Sequence, residues 1–402
     1  MKKFLNISLL AALLCAASGS FVSCDEMKPL SDAVLMTGTS TNPLVKFAIE
    51  HLPSDYAVSV TSTRKASEDI KIKLAVDTDL VAQYNDQMNM NYFAIPEGAY
   101  SLSGDEVVIT KGQAISSAVK VSIIDDSAFV PGRVYLIPVT IESTSDNFPV
   151  IESGRTIYLK VSRTLRFVAP YTGNAQMAYQ FLFPNPIVSL PTYTWEVKIY
   201  AEKFRDTAAS GTTRVCSFGG NDTSDEGGAI SDSGFKCDQN LLRFGEGTDE
   251  PNRLHLTTKQ AKMSANTLFQ TGRWYSVAVV NDGTTMTLYI DGEKDNSVTV
   301  SPYNYTLYGV QIGMPSRGYQ SSQLFYGRLC EMRLWTRSLS ASEIKANVCG
   351  VDPLTEGLVA YWPMNEGSGS TFYDLSPNQR HIAYTNGATI SWTDDDTNKC
   401  VE

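Results

Sequence analysis

Between Arg273 and Gly292 the chain reads RWYSVAVVNDGTTMTLYIDG, and this stretch narrows the choice of fold more than any other. Asp282-Gly283 and Asp291-Gly292 are turn pairs, because aspartate and glycine tolerate the positive φ that tight hairpins impose. Val, Ile, Tyr and Thr on either side suit a pleated surface. Met286, Leu288 and Ile290 alternate with Thr287 and Tyr289, the period-2 signature of a strand with one buried face. Trp274–Val280 is apolar on both faces, which predicts a central strand in a sheet covered on both sides. An isolated hairpin is not stable in water. The rest of the second half of the chain must therefore be built to cover it.

At 402 residues the chain exceeds one typical core, and about 150 residues per domain predicts two or three domains. Aromatics at 10%, 28 glycines and 17 prolines favour an all-β architecture over a helical one. The formal charge is −10, and no basic run occurs beyond the extreme N-terminus, which argues against nucleic acid or an anionic membrane surface as partner.

Lys2 and Lys3 precede an apolar run from Ile7 to Ala17 and a small-residue exit into Phe21-Val22-Ser23-Cys24. That order describes a secretory signal over 1–23, too short for a membrane span of about 20 apolar residues. The cysteine at its end resembles a bacterial lipobox, although Phe21 departs from the usual leucine-type residue. The resemblance implies lipidation of Cys24, an outer-membrane anchor and exposure at the surface of a Gram-negative cell, with 24–40 as a polar tether. Of seven cysteines, Cys15 lies in the signal and Cys24 at its end. The other five, Cys216, Cys237, Cys330, Cys349 and Cys400, are an odd number, so at least one thiol stays free. Cys349–Cys400 is the preferred bridge, a staple for the C-terminal end, and Cys330, in an apolar strand, reads as a buried thiol.

Over 41–162 strands are expected at Asp55–Thr63, Asp69–Val76, Glu106–Thr110, Ala118–Ile124, Arg133–Glu142 and Thr156–Val161, with a short helix at Thr78–Gln83. Their spacing and the intervening turn residues suggest an Ig-like β-sandwich. The run Ile70–Val81, Tyr84-Asn85, Ile95-Pro96, Val108–Gly112 and Tyr135–Val139 resembles domain-of-unknown-function family 1735. That module occurs at the N-terminus of surface lipoproteins from glycan-utilisation systems. All five tryptophans lie beyond Asn174, which places a domain boundary near 162–174.

In the remainder, 170–402, strands are expected at Tyr193–Ala201, Arg214–Gly219, Asn240–Phe244, Arg253–Thr257, Val310–Gly313 and Gly327–Trp335. Ser340 and Glu343 form a capping box for one short helix. Trp274–Gly292, Gly327–Ser340 and Gly357–Gly369 resemble the laminin-G-like, concanavalin A-like jelly rolls. The last motif commonly opens such domains and here comes last, so it reads as a closing hairpin; a third small domain at 350–402 is too short to bury much core.

The histidines, His51, His255 and His381, form no evident catalytic set, and His255 reads as a structural or surface residue within a strand. Glycanases on this fold usually carry Glu-x-Asp-x-x-Glu on one strand, and that motif is absent: Glu331 stands alone on its strand, and Glu196 is followed two residues on by Lys198. The acidic loop with Asp222, Asp225 and Asp232 offers oxygen ligands of the kind Ca2+ prefers. Tyr303, Tyr305, Arg317, Tyr319 and Tyr326 combine aromatic faces with a hydrogen-bonding rim, which suits sugar rings. The expectation is a lipid-anchored protein that binds an oligosaccharide or glycoprotein glycan without cleaving it, beside glycan transporters and glycosidases. The alternatives are a glycoside hydrolase with an unusual carboxylate arrangement, or an adhesion module that binds protein.

Overall fold

The structure, a computed structural model, describes residues 32–49, 51–130, 132–205, 212–219, 240–245, 250–313, 323–393 and 399–401. It is almost entirely β and forms two sandwiches, each around its own core.

In the first sandwich five strands run in the order Leu44–Ile49, Thr156–Arg166, Tyr135–Thr144, Ile70–Val76 and Glu106–Ile109. The three-stranded sheet Ser54–Val58, Val119–Ile123, Tyr100–Leu102 supplies further core residues. Alternation does the sorting: in Ile70–Val76, Ile70, Ile72 and Leu74 are buried while Lys71 and Lys73 are exposed. The helix Leu80–Met88 starts two residues later than expected and runs five further, laying Val81 and Tyr84 against Leu136. One expectation needs correcting. Val34–Met36, assigned to the tether, is a strand paired with Val60–Ser62, and Val34 and Met36 are fully buried in this core. The module therefore begins before residue 41, because a three-residue strand carries too little pattern to be seen in a single sequence.

Among the described residues the second sandwich has two six-stranded sheets. The first runs Glu293–Thr299, Thr285–Ile290, Trp274–Asn281, Tyr193–Ala201, Gly327–Trp335, Leu358–Trp362. Trp274–Asn281 is paired on both sides and buried on both faces. Asp291 (φ 52°) and Gly292 (φ 80°) both take positive φ, so this pair is a hairpin turn into a further strand, Glu293–Thr299, which its polar sequence concealed. The second sheet runs Tyr179–Leu190, Tyr305–Ile312, Thr213–Gly219, Asn240–Phe244, Arg253–Thr258, Lys262–Leu268. Between the sheets lie Trp195, Phe218, Phe244, Leu256, Val279, Leu288 and Leu334. Ser340 and Glu343 complete the capping box of the helix Ala341–Ala346, which covers the outside of the first sheet with Ile344.

The C-terminal segment is part of this module and not a third domain. Leu358–Trp362 is an edge strand on Gly327–Trp335, and Trp362, Met364, Phe372, Ile382, Tyr384 and Ile390 join the common core. The boundary is also less clean than the composition suggested. Thr156–Arg166 runs through it, and its last three residues pair with the C-terminal strand Lys399–Val401. Cys349 and Cys400 are disulfide-bonded, whereas Cys216 and Cys330 are buried in the core.

Candidate functional site

The two outer faces of the second sandwich differ. On the first sheet, Ala278, Val280, Trp335, Leu358 and Tyr361 pack under Leu339, Ile344 and Val351. Glu196, Glu331 and Arg333, each no more than 6% exposed, lie among them. Register and alternation assemble this group, since Arg333 lies opposite Glu196, while Glu331 and Trp335 share its face, and a β-bulge follows directly. Arg333 pairs with Glu196 and Cys330 with Lys198, so Glu331 and Met332 on one strand stand opposite Val197 alone on the other, and Glu331 sits at φ 54°. Without the bulge, Cys330 and Arg333 would face opposite ways.

Arg333 holds both carboxylates: Nη2 donates to Glu331 Oε2, and Nη1 lies 3.5 Å from Glu196 Oε2. Trp335 Nε1 donates to Glu196 at 2.8 Å and Tyr361 Oη to Glu331 at 2.9 Å. Burial pushes the Glu196 carboxyl up, partly offset by the Arg333 charge and the Trp335 bond. Burial alone would lower the Arg333 guanidinium, yet Glu331 and Glu196 hold it above its ordinary value. Beside this group is a cavity of about 20 Å3, room for a water molecule, whereas sugar-sized ligands occupy pockets of roughly 300 Å3 or more. The two carboxylates are therefore neutralised and shut away from a glycosidic bond.

Lys198, 6% exposed, lies on the same face with its Nζ 4.6 Å from the Phe167 ring centroid. Burial lowers its pKa. The unfolded chain then binds the extra proton between the two pKa values, so this penalty is full below the folded-state pKa and fades as pH rises towards about 10.4. Lys198→Met is expected to raise stability by about 1 kcal/mol or more at pH 7, and urea titrations at pH 7 and 10 should show the gain shrinking. A loss of stability at pH 7 would show that the charge is needed.

The outer face of the second sheet is polar. In Arg253–Thr258, Leu254 and Leu256 point into the core, which turns Arg253, His255 and Thr257 outward; in Asn240–Phe244, Leu242 and Phe244 point in and Leu241 and Arg243 outward. Strand register aligns these residues into two rows, Gln311–Ser217–Leu241–Thr257–Lys262 and Arg214–Arg243–His255–Ser264. His255 Nδ1 and Ser264 Oγ are 2.9 Å apart, and Arg214 Nε donates to Gln323 at 3.0 Å. Gln311, Ser217, Thr257 and His255 are buried, Arg214, Arg243 and Ser264 half-buried, and Lys262 exposed. The members that keep surface, Arg214, Arg243, Ser264 and Lys262, carry guanidinium, hydroxyl and ammonium groups of the kind that hydrogen-bond a hydroxyl-rich ligand. Alternation in 253–258 marked His255 as outward or structural, but a single strand could not reveal the row, which depends on register.

The aromatic candidates do not converge. Tyr305 is fully buried, its hydroxyl is pushed up to about 12 by burial, and its ring packs edge-on against Tyr193 at 5.1 Å. It is a core residue, which corrects its assignment as a glycan contact. Alternation Tyr303-x-Tyr305-x-Leu307 fits an interior face as well as a binding one. Tyr303 is half-buried against Tyr305, at the end of the sandwich near Tyr193. Tyr326 is at the other end, beside Gly327 and Ala201, with Lys203 Nζ 3.9 Å over its ring. Arg317, Tyr319, Asp222, Asp225, Asp232 and Cys24 lie outside the described residues. Among the described residues no cluster of three or more His, Cys, Asp or Glu is arranged to hold a metal, and no helix is long and apolar enough to cross a membrane.

Comparison with known proteins places this geometry. Residues 30–147 match the profile of an N-terminal domain family, and residues 193–345 match that of the concanavalin A-like lectin/glucanases superfamily. No curated protein sequence matches the chain. Among solved structures, a Bacteroides ovatus ATCC 8483 protein that carries a carbohydrate-binding assignment shares 19% identity and a TM-score of 0.62, over 90% of this chain and 98% of that one. A SAP-like pentraxin from Limulus polyphemus aligns over 58% of this chain and 97% of its own, at 14% identity and a TM-score of 0.39, too distant to carry an argument. The chain is therefore an all-β protein of two modules, the second of which has the concanavalin A-like lectin/glucanase fold.

Proposed function

We propose that this protein is a cell-surface, lipid-anchored glycan-binding protein that holds its carbohydrate without cleaving it. The observation that carries the reading is the pair of polar rows on the outer face of the second sheet, on the accessible side around Arg243, Ser264 and Lys262. The carbohydrate-binding assignment of the Bacteroides ovatus protein supports the ligand class. Retention without hydrolysis is supported by the fate of Glu196 and Glu331, both bound to Arg333 beneath a helix. Anchoring through Cys24 at the outer membrane is supported by the resemblance of the leader to a bacterial lipobox. Glycan transporters and glycosidases at that membrane would be its neighbours. Affinity electrophoresis and a glycan array with a soluble form lacking residues 1–24 test the reading. Retention by at least one polysaccharide or glycoprotein glycan, with no product released, is expected. Failure to retain any glycan, or the appearance of shortened oligosaccharides, would contradict it.

A further inference from the structure

Both halves of the Cys349–Cys400 bridge stand at the seam between the modules, and we infer that the bridge is a latch: it holds the two sandwiches as one rigid unit, which a dithiol reductant converts into a hinged pair. Cys400 is the middle residue of Lys399–Val401 and lies opposite Leu165, on the strand that leaves the N-terminal sheet. Cys349 belongs to the loop that seats against the first sandwich. Two residues on, the Val351 backbone lies so close to Gly132 (φ 76°) that a Cβ there would come within 2.2 Å of it. One residue further, Asp352 Oδ2 accepts from Arg133 Nε at 2.6 Å, with both side chains less than a quarter exposed.

The bridge thus ties a terminal three-residue strand to the loop docked on the first module. Such a strand, at a chain end with three ladder positions, frays readily unless tied down. The intervening segment needs no tie, because Trp362, Phe372, Ile382 and Tyr384 are buried in the second core. Loss of the bridge should therefore be felt at the seam and not in the sandwich. Cys349 and Cys400 are only half-buried, so a small dithiol can reach them. In the reduction the S–S bond breaks, each cysteine sulfur gains one electron and one proton, and the dithiol closes to its own disulfide.

Hydrogen–deuterium exchange read by mass spectrometry on the chain from residue 25 tests the latch, with and without dithiothreitol and in the Cys349→Ser/Cys400→Ser variant. The expected result is exchange at least ten-fold faster at 164–166 and 399–401, with Trp274–Asn281 and Leu358–Trp362 as protected as before. Arg133→Ala with the bridge intact should leave 399–401 protected. Unchanged exchange at the seam after reduction would overturn the inference. So would a rise spread through the second sandwich, which would make the bridge a support of that module instead.

Discussion

Arg333→Ala is expected to destabilise the second sandwich by about 3–5 kcal/mol, because it strands two buried carboxylates. Glu196 and Glu331 are 6% and 2% exposed, and the guanidinium between them is the positive charge both use. Removing one side of a buried ion pair leaves the full desolvation cost of the other, and here two anions are left facing each other. At roughly 2–4 °C per kcal/mol for a module of this size, the thermal midpoint should fall by about 10 °C. The triple replacement Glu196→Gln/Glu331→Gln/Arg333→Met removes all three charges together and should recover much of that loss. Differential scanning calorimetry on the three proteins separates the cases. An Arg333→Ala protein that melts within a degree or two of the parent would show that the carboxylates are already neutral or hydrated.

Trp362→Ala carries the second large effect, about 3–5 kcal/mol from lost burial and the cavity left behind. Trp362 is fully buried, stacks on Phe183 at 6.3 Å and donates from Nε1 to the Arg380 carbonyl at 2.7 Å. Phe183 belongs to Tyr179–Leu190, at the start of the module, so this contact joins the C-terminal segment to the first strand of the second sheet. Urea unfolding followed by far-UV circular dichroism should show the whole module shifting to lower denaturant. A cost below about 1 kcal/mol would mean that residues 358–393 fold apart from the rest.

What the sequence disclosed follows the physics of local pattern. The opening hairpin, the central place of Trp274–Asn281, the capping box at Ser340 and the buried Cys330 are all set by neighbours within a few residues, and all are legible. Val34–Met36 and Glu293–Thr299 were hidden because one is three residues long and the other polar. The bulge at Glu331 was hidden for a different reason. It inserts one residue into the pairing, which alternation within the strand does not encode, and it alone places Cys330 and Arg333 on one face. The site was the least legible part. Its rows are made of Ser217, Thr257, His255, Arg243 and Ser264, common residue types brought together by register across strands as far apart in the chain as those of Ser217 and Gln311. The tyrosines drew attention first because aromatics announce themselves, yet Tyr305 is core and Tyr326 lies under Lys203.

A crystal structure of the soluble protein with its best-retained oligosaccharide tests the central claim most directly. The predicted result is an intact sugar on the outer face of the second sheet, hydrogen-bonded to Arg243, Ser264 or Lys262. A sugar seated at Tyr303, at Tyr326 or on the first sandwich, or a sugar cleaved in the crystal, would contradict it.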